Sequence, residues 1–145
     1  MRKLLLSALT GAFFFLSSAA AGDPQIIEAQ FAKNHIGQHR VVCGSVTEVR
    51  QKEYGTFIQL GGSYVEDRHG RNILKPDFTA VIWQQDMAMV EINPIAGITS
   101  DMEYCFSGEI QAYRHPAIYR YYGLTPQVTL RTADQWFLRT TNTGT

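Results

Sequence analysis

The chain has 145 residues, of which 45% are apolar, 18% charged and 12% aromatic, and its formal net charge is zero. That length fits one domain, and the composition excludes wholesale disorder, collagen-like repeats and coiled-coil fibres. Two cysteines exclude a disulfide-dense miniprotein and a zinc site built from cysteine alone.

Met1-Arg2-Lys3 is a short basic start, Leu4 to Leu16 is almost wholly apolar, and Ala19-Ala20-Ala21 has the small-x-small form of a signal-peptidase site. Residues 1–21 are expected to be a secretory signal peptide cleaved before Gly22. The alternative is an uncleaved anchor, but the apolar run is shorter than the ~20 residues a bilayer span needs. Cleavage removes two of the 13 basic side chains and none of the 13 acidic ones, leaving a charge of about −2. A mature chain of that charge argues against strong non-specific nucleic-acid binding, which is driven by phosphate neutralisation. No second long apolar run follows, so a soluble periplasmic or secreted protein is expected. Export favours a bond between Cys43 and Cys105; the alternative is two buried reduced thiols.

Asp23-Pro24 reads as an N-cap and first helical residue. A helix is expected over residues 24–35, with Ile27 and Phe31 on one side and Gly37 as its stop. Arg40 to Arg50 is β-branched and reads as a long strand, with Gly44 marking a bend. Thr56–Leu60 is the second strand, ended by Gly61-Gly62. Residues 63–76 are polar and read as an exposed loop or hairpin extension. Phe78–Trp83 is the third strand, and Gln85 to Glu91 a short helix broken by Asn93-Pro94 and Gly97. Glu103–Tyr113 is the fourth strand. Arg114 to Gly123 is a tyrosine-rich loop. The fifth strand starts at Gln127 and continues as far as Trp136. A flexible tail is expected over 139–145.

Five short strands behind one helix suggest a small barrel. The first and fourth strands each carry a glycine at a bend, Gly44 and Gly108. If both glycines face inward, strand alternation puts Val42, Val46, Phe106 and Ile110 inside and turns Cys43 and Cys105 to the other face. Neighbouring first and fourth strands would then allow a cross-strand disulfide.

The ordered runs Asn34-His35-Ile36-Gly37-Gln38, Val41 to Val46, Thr56 to Tyr64, Phe78 to Trp83 and Cys105 to Arg114 resemble the bacterial secreted OB-fold (oligonucleotide/oligosaccharide-binding) domain family. The likeness covers roughly residues 26–137. It departs from the family's pattern in the charged insertion at 65–77 and in the longer Tyr-rich stretch after His115-Pro116. The resemblance implies an all-β, five-stranded OB-like Greek-key barrel with an N-terminal α-helix over residues 22–138. It also implies a ligand face over the second and third strands. Candidate stacking residues there are Phe57, Tyr64, Trp83, Tyr113, Tyr119 and Tyr121. Candidate phosphate-binding cations are Arg50, Lys52, Arg68, Arg71, Arg114 and Arg120. The plain alternative is that Phe57 and Trp83 cover the core and the charges solvate loops. Glu48, Glu53, Glu66 and Asp67 are interspersed among the cations and weaken the binding reading.

His35 and His39 have i, i+4 spacing, but Gly37 between them ends the helix, and a solvated or capping pair is expected. The chain carries no G-x-S-x-G, H-E-x-x-H, phosphate loop or Rossmann glycine pattern. No enzyme activity, cofactor or metal is expected. The leading expectation is an exported binding module for single-stranded nucleic acid or another polyanion. The alternative is a protein-interaction module with an envelope or secretion partner, because tyrosine suits protein surfaces equally well.

Overall fold

β-branched and aromatic runs separated by Gly, Asn and Asp turns leave the chain little choice but strands. The structure, a computed structural model, describes residues 25–92 and 102–140. It contains ten strands: β1 (Ile26–Glu28), β2 (His39–Lys52), β3 (Gly55–Leu60), β4 (Ser63–Glu66), β5 (Asn72–Lys75), β6 (Phe78–Trp83), β7 (Met102–Glu109), β8 (Gln111–Tyr113), β9 (Thr125–Thr129) and β10 (Trp136–Thr140). Two helical turns are α1 (Met87–Val90) and α2 (Tyr119–Tyr122). The main sheet runs in the order β10-β7-β2-β3-β6-β9-β8, with β1 added in parallel to β2, and β4–β5 stand apart as a hairpin. The chain is therefore mostly β, in a sheet of more strands than the five expected. The expected signal peptide, the Asp23-Pro24 cap and the Asn93-Pro94 break lie outside the described residues, as does the tail beyond residue 140.

The strand β2 organises the rest. Its first half, His39–Ser45, pairs with β7, and its second half pairs with β3 from Val46 onward, with a register shift between Val46 and Glu48. A side chain at Gly44 would meet the Ala29 Cβ at 3.1 Å and the Leu60 Cβ at 3.4 Å, so the bend brings neighbouring segments close against the backbone. On β7, a Cβ at Gly108 would meet Val128 Cγ2 at 2.3 Å, with φ at +155°, so only glycine fits there. As alternation implied, Val42, Phe106 and Ile110 are buried in the main core with Ile58, Leu60 and Phe78, and Val46 packs against it.

Cys43 and Cys105 face each other across the β2–β7 pair and are joined in a disulfide. They are buried with Val41 in a small cluster of their own, on the opposite face from Val42 and Phe106. The bond places this chain in an oxidising, extracytoplasmic environment. Among the described residues no helix is long and apolar enough to cross a membrane.

Three expectations are corrected. The amino-terminal helix is not an α-helix over 24–35: β1 pairs with β2, and only Ala29–His35 are helical, in the tighter 3₁₀ form. Ala29 and Ala32 are its buried residues while Phe31 is exposed, because a three-residue turn aligns i with i+3. The fifth strand does not continue to Trp136. β9 ends at Thr129, Thr132 and Gln135 form a capping box, and β10 then pairs with β7 instead. Gln135 locks this corner by donating from Nε2 to the Ser107 and Thr129 carbonyls at 3.0 and 3.2 Å. Nor is Arg139 in a frayed tail. It lies on β10 and donates to Glu103 Oε2 at 2.7 Å and to Glu28 Oε1 at 2.9 Å. Glu28 first, and then Glu103, raises its pKa.

The disulfide spans 62 residues of sequence, and closing a loop of that size removes about 4 kcal/mol of unfolded-chain entropy. A Cys43→Ser/Cys105→Ser double variant is expected to lower urea-unfolding stability by roughly 2–4 kcal/mol, and reductant should do the same to the wild type. An unfolding midpoint indifferent to both would contradict this account.

Candidate functional site

The core takes alternate residues of β3, β6 and β9, so the intervening residues form the sheet's other face. Phe57 and Gln59 from β3, Thr79 from β6, Thr125 and Gln127 from β9, and Tyr113 from β8 line a cleft of about 150 Å³ there. Arg50 and Lys52 enter it from the far half of β2, Tyr54 from the β2–β3 turn, and His115 from the segment after β8. Among the described residues no carboxylate lines it, although Glu48 sits opposite Gln59 in the β2–β3 register. Neither Arg50 nor Lys52 forms an ion pair among the described residues.

Phe57 is held at its place by aromatic edges. Tyr54 meets it at 5.9 Å between ring centroids and Trp83 at 6.0 Å, both edge-to-face. His115 is half-buried, and its Nδ1 accepts from the Ala117 backbone N–H at 3.1 Å. Burial, and next the nearby Arg50 charge, push its pKa down. The imidazole is thus neutral at pH 7, and protonating it adds a third cation to the cleft.

A second cleft lies on the other side of the same segment. Arg114, Tyr119, Arg120 and Tyr121 line it together with Arg68 from the tip of the β4–β5 hairpin. The Arg114 guanidinium lies over the Tyr119 ring at 4.3 Å. Residues 114–123, expected as a loop, contain the helical turn α2, which Ile118, fully buried, anchors to the body of the protein. Tyr113 and His115 face the first cleft and Arg114 the second, so this segment is the wall between them.

Of the residues singled out from sequence, Arg50, Lys52, Phe57 and Tyr113 meet in the first cleft. Arg68, Arg114, Tyr119, Arg120 and Tyr121 meet in the second. Trp83 lines neither and supports Phe57 from behind. Tyr64 is exposed on the hairpin, away from both. Arg71 is not a free cation: its Nε donates to Asp67 Oδ2 at 2.9 Å and its Nη2 lies 2.7 Å from the same oxygen. Asp67 is buried and takes the His69 and Arg71 backbone N–H groups on Oδ1 at 2.8 and 2.9 Å, so this pair builds the hairpin turn. Sequence reading missed Tyr54, Gln59, Thr79, His115, Thr125 and Gln127. Period-two alternation from Phe57 reaches Gln59, and from Tyr113 reaches His115. Nothing local marks Thr79, Thr125 and Gln127, which arrive through pairing of distant strands.

Comparison with known proteins assigns this chain neither a family nor a function. No family model matches, and no curated protein matches. Among solved structures the chain is similar to one assigned as an aspartyl-tRNA synthetase from Leishmania major Friedlin, at 9% identity and a TM-score of 0.47. The likeness covers 86% of this chain and 22% of that one, so this chain spans about a fifth of that protein. A likeness at that level carries neither fold nor function across.

The Arg71 backbone N–H, and after it the Arg71 side chain, outweighs burial and lowers the Asp67 pKa from 3.8 to about 2. A depressed carboxylate contributes stability above its unfolded pKa and loses it as pH falls through the folded value. The His69 and Arg71 amide resonances are therefore expected to titrate together with a midpoint near 2. In Asp67→Asn that transition should vanish and the hairpin tip should lose order at neutral pH.

Proposed function

We propose that this chain is an exported, non-catalytic OB-like binding module that takes single-stranded nucleic acid, or another polyanion, across the first cleft. The observation that carries this reading is the lining of that cleft: Arg50 and Lys52, with the titratable His115, beside Tyr54, Phe57 and Tyr113, and no carboxylate among the described residues. Cations that track phosphate and rings that stack bases are what a single strand requires. The second cleft, with Arg68, Arg114 and Arg120, continues the cationic path past the segment 113–115.

The strand pairing supports the OB reading of the architecture. β7 and β8 are separated only by Ile110, with β7 pairing to β2 and β8 pairing to β9. Taken as one bent strand, they give the sequence β2, β3, β6, β9, β7–β8 and back to β2, which is the connectivity of a five-stranded Greek-key barrel. β1, β10 and the β4–β5 hairpin are then additions to it. The disulfide supports export, and residues 1–21 supply the signal peptide of this reading.

A second reading rests on the exposed apolar surface around α2. Tyr121 is 63% exposed and Leu124 47%, with Tyr113 and Tyr122 also open to solvent. Such a patch suits an envelope or secretion partner.

Titration of Trp83 fluorescence with a single-stranded oligonucleotide separates the two, since Trp83 touches Phe57 at the cleft edge. Salt-sensitive quenching is expected, with log K falling by roughly 0.7 per phosphate contact per decade of salt. Arg50→Ala should weaken binding about three- to tenfold and flatten the slope by about 0.7. Affinity should also rise as pH falls and His115 gains its proton, a trend absent from His115→Ala. No response at low salt would remove the polyanion reading and leave the protein-interaction surface in its place.

A further inference from the structure

The floor of the first cleft is unlike its rim. Gln59, Thr79 and Gln127 lie in one cross-strand row, Gln59 opposite Thr79 and Thr79 opposite Gln127, with Thr125 two residues before Gln127 on the same face. Three of the four are buried: Gln59 is 6% exposed, Thr79 7% and Thr125 2%. Gln59 Oε1 and Thr125 Oγ1 are buried and have no hydrogen-bond partner among the described residues. Folded proteins rarely leave such atoms unmet, because each costs about 1–3 kcal/mol. Here both belong to the same cleft. An apolar floor would have been the easier solution for stability, so the polar one points to a ligand.

We infer that this floor is a base-reading subsite. One nucleobase of a bound strand inserts flat between the aromatic walls and hydrogen-bonds to Gln59 and Thr125, while Arg50 and Lys52 at the rim hold its phosphate. The amide of Gln59 presents an acceptor beside a donor, the pattern that matches adjacent groups on a base edge, and the Thr125 hydroxyl serves in either sense. A cavity of about 150 Å³ admits a single aromatic ring. This inference rests on the polyanion reading of the cleft and sharpens it: the preferred ligand carries bases as well as charge.

The test compares two probes of equal length and charge, a mixed-sequence oligodeoxynucleotide and the corresponding abasic oligomer, on the intact protein and on Gln59→Leu and Thr125→Val. The wild type is expected to bind the base-bearing strand at least tenfold more tightly. Each variant should lose at least threefold of that preference, with the stacking contribution of the aromatic walls left in place. Thr125→Val should unfold at or above the wild-type temperature, since it removes an unmet buried hydroxyl, which separates loss of recognition from loss of fold. Equal binding of the two probes by the wild type overturns the base-reading subsite and leaves the polyanion reading standing. A preference that both variants keep undiminished overturns it as well, because stacking alone then accounts for it. Failure of both probes to bind at low salt takes down the two readings together.

Discussion

The bend in β2 is the constraint on which the molecule depends. β2 is 14 residues long and pairs with β7 along its first half and with β3 along its second, and the bend between the halves turns those two neighbours around one core. Gly44 makes the curl possible by leaving room for Ala29 and Leu60, and the register shift before Glu48 completes it. The Cys43–Cys105 bond sits next to this bend and clamps β2 to β7. Arg139 reinforces the same region from outside, joining β1, β7 and β10 through Glu28 and Glu103. The disulfide and this ion-pair junction thus lie side by side, with Glu28 in register with Cys43.

The first cleft lies beyond the bend. Arg50 and Lys52 belong to the half of β2 beyond the bend, so the curl that closes the core also swings these cations over β3. The opposite wall is the segment from Tyr113 to His115, pinned by the buried Ile118 and by the bond between Ala117 N–H and His115. The sheet floor thus lies between a wall carrying Arg50 and Lys52 and a wall carrying Tyr113 and His115. Gln59 Oε1 and Thr125 Oγ1 are buried in that floor without a partner among the described residues.

Much of this was legible residue by residue. The alternation around Gly44 and Gly108 is enough to turn Val42 and Phe106 inward and both cysteines to the other face, because side chains in a strand alternate whatever the rest of the chain does. The cation and aromatic candidates Arg50, Lys52, Phe57 and Tyr113 do converge. Other positions misled for identifiable reasons. Arg71 counts as a free cation until Asp67, four residues earlier, is seen to hold it. The run from Gln127 to Trp136 reads as one strand by composition, but Thr132 and Gln135 stand at capping-box spacing within it and break it. The helix ahead of the sheet is shorter than its local signals imply because pairing with β2 captures Ile26–Glu28 as a strand.

By itself the sequence determined the β-rich class, the positions of the long strands and the parity that lets two cysteines 62 residues apart become partners. Those follow from local periodicity and composition. Only the tertiary structure decided which polar residues share the cleft floor. Gln59, Thr79 and Thr125 come from three strands, and their meeting depends on the register of β3 against β6 and of β6 against β9. Register is a property of paired chains, not of any one segment. A composition that makes each run a strand is silent about which atoms those strands bring face to face.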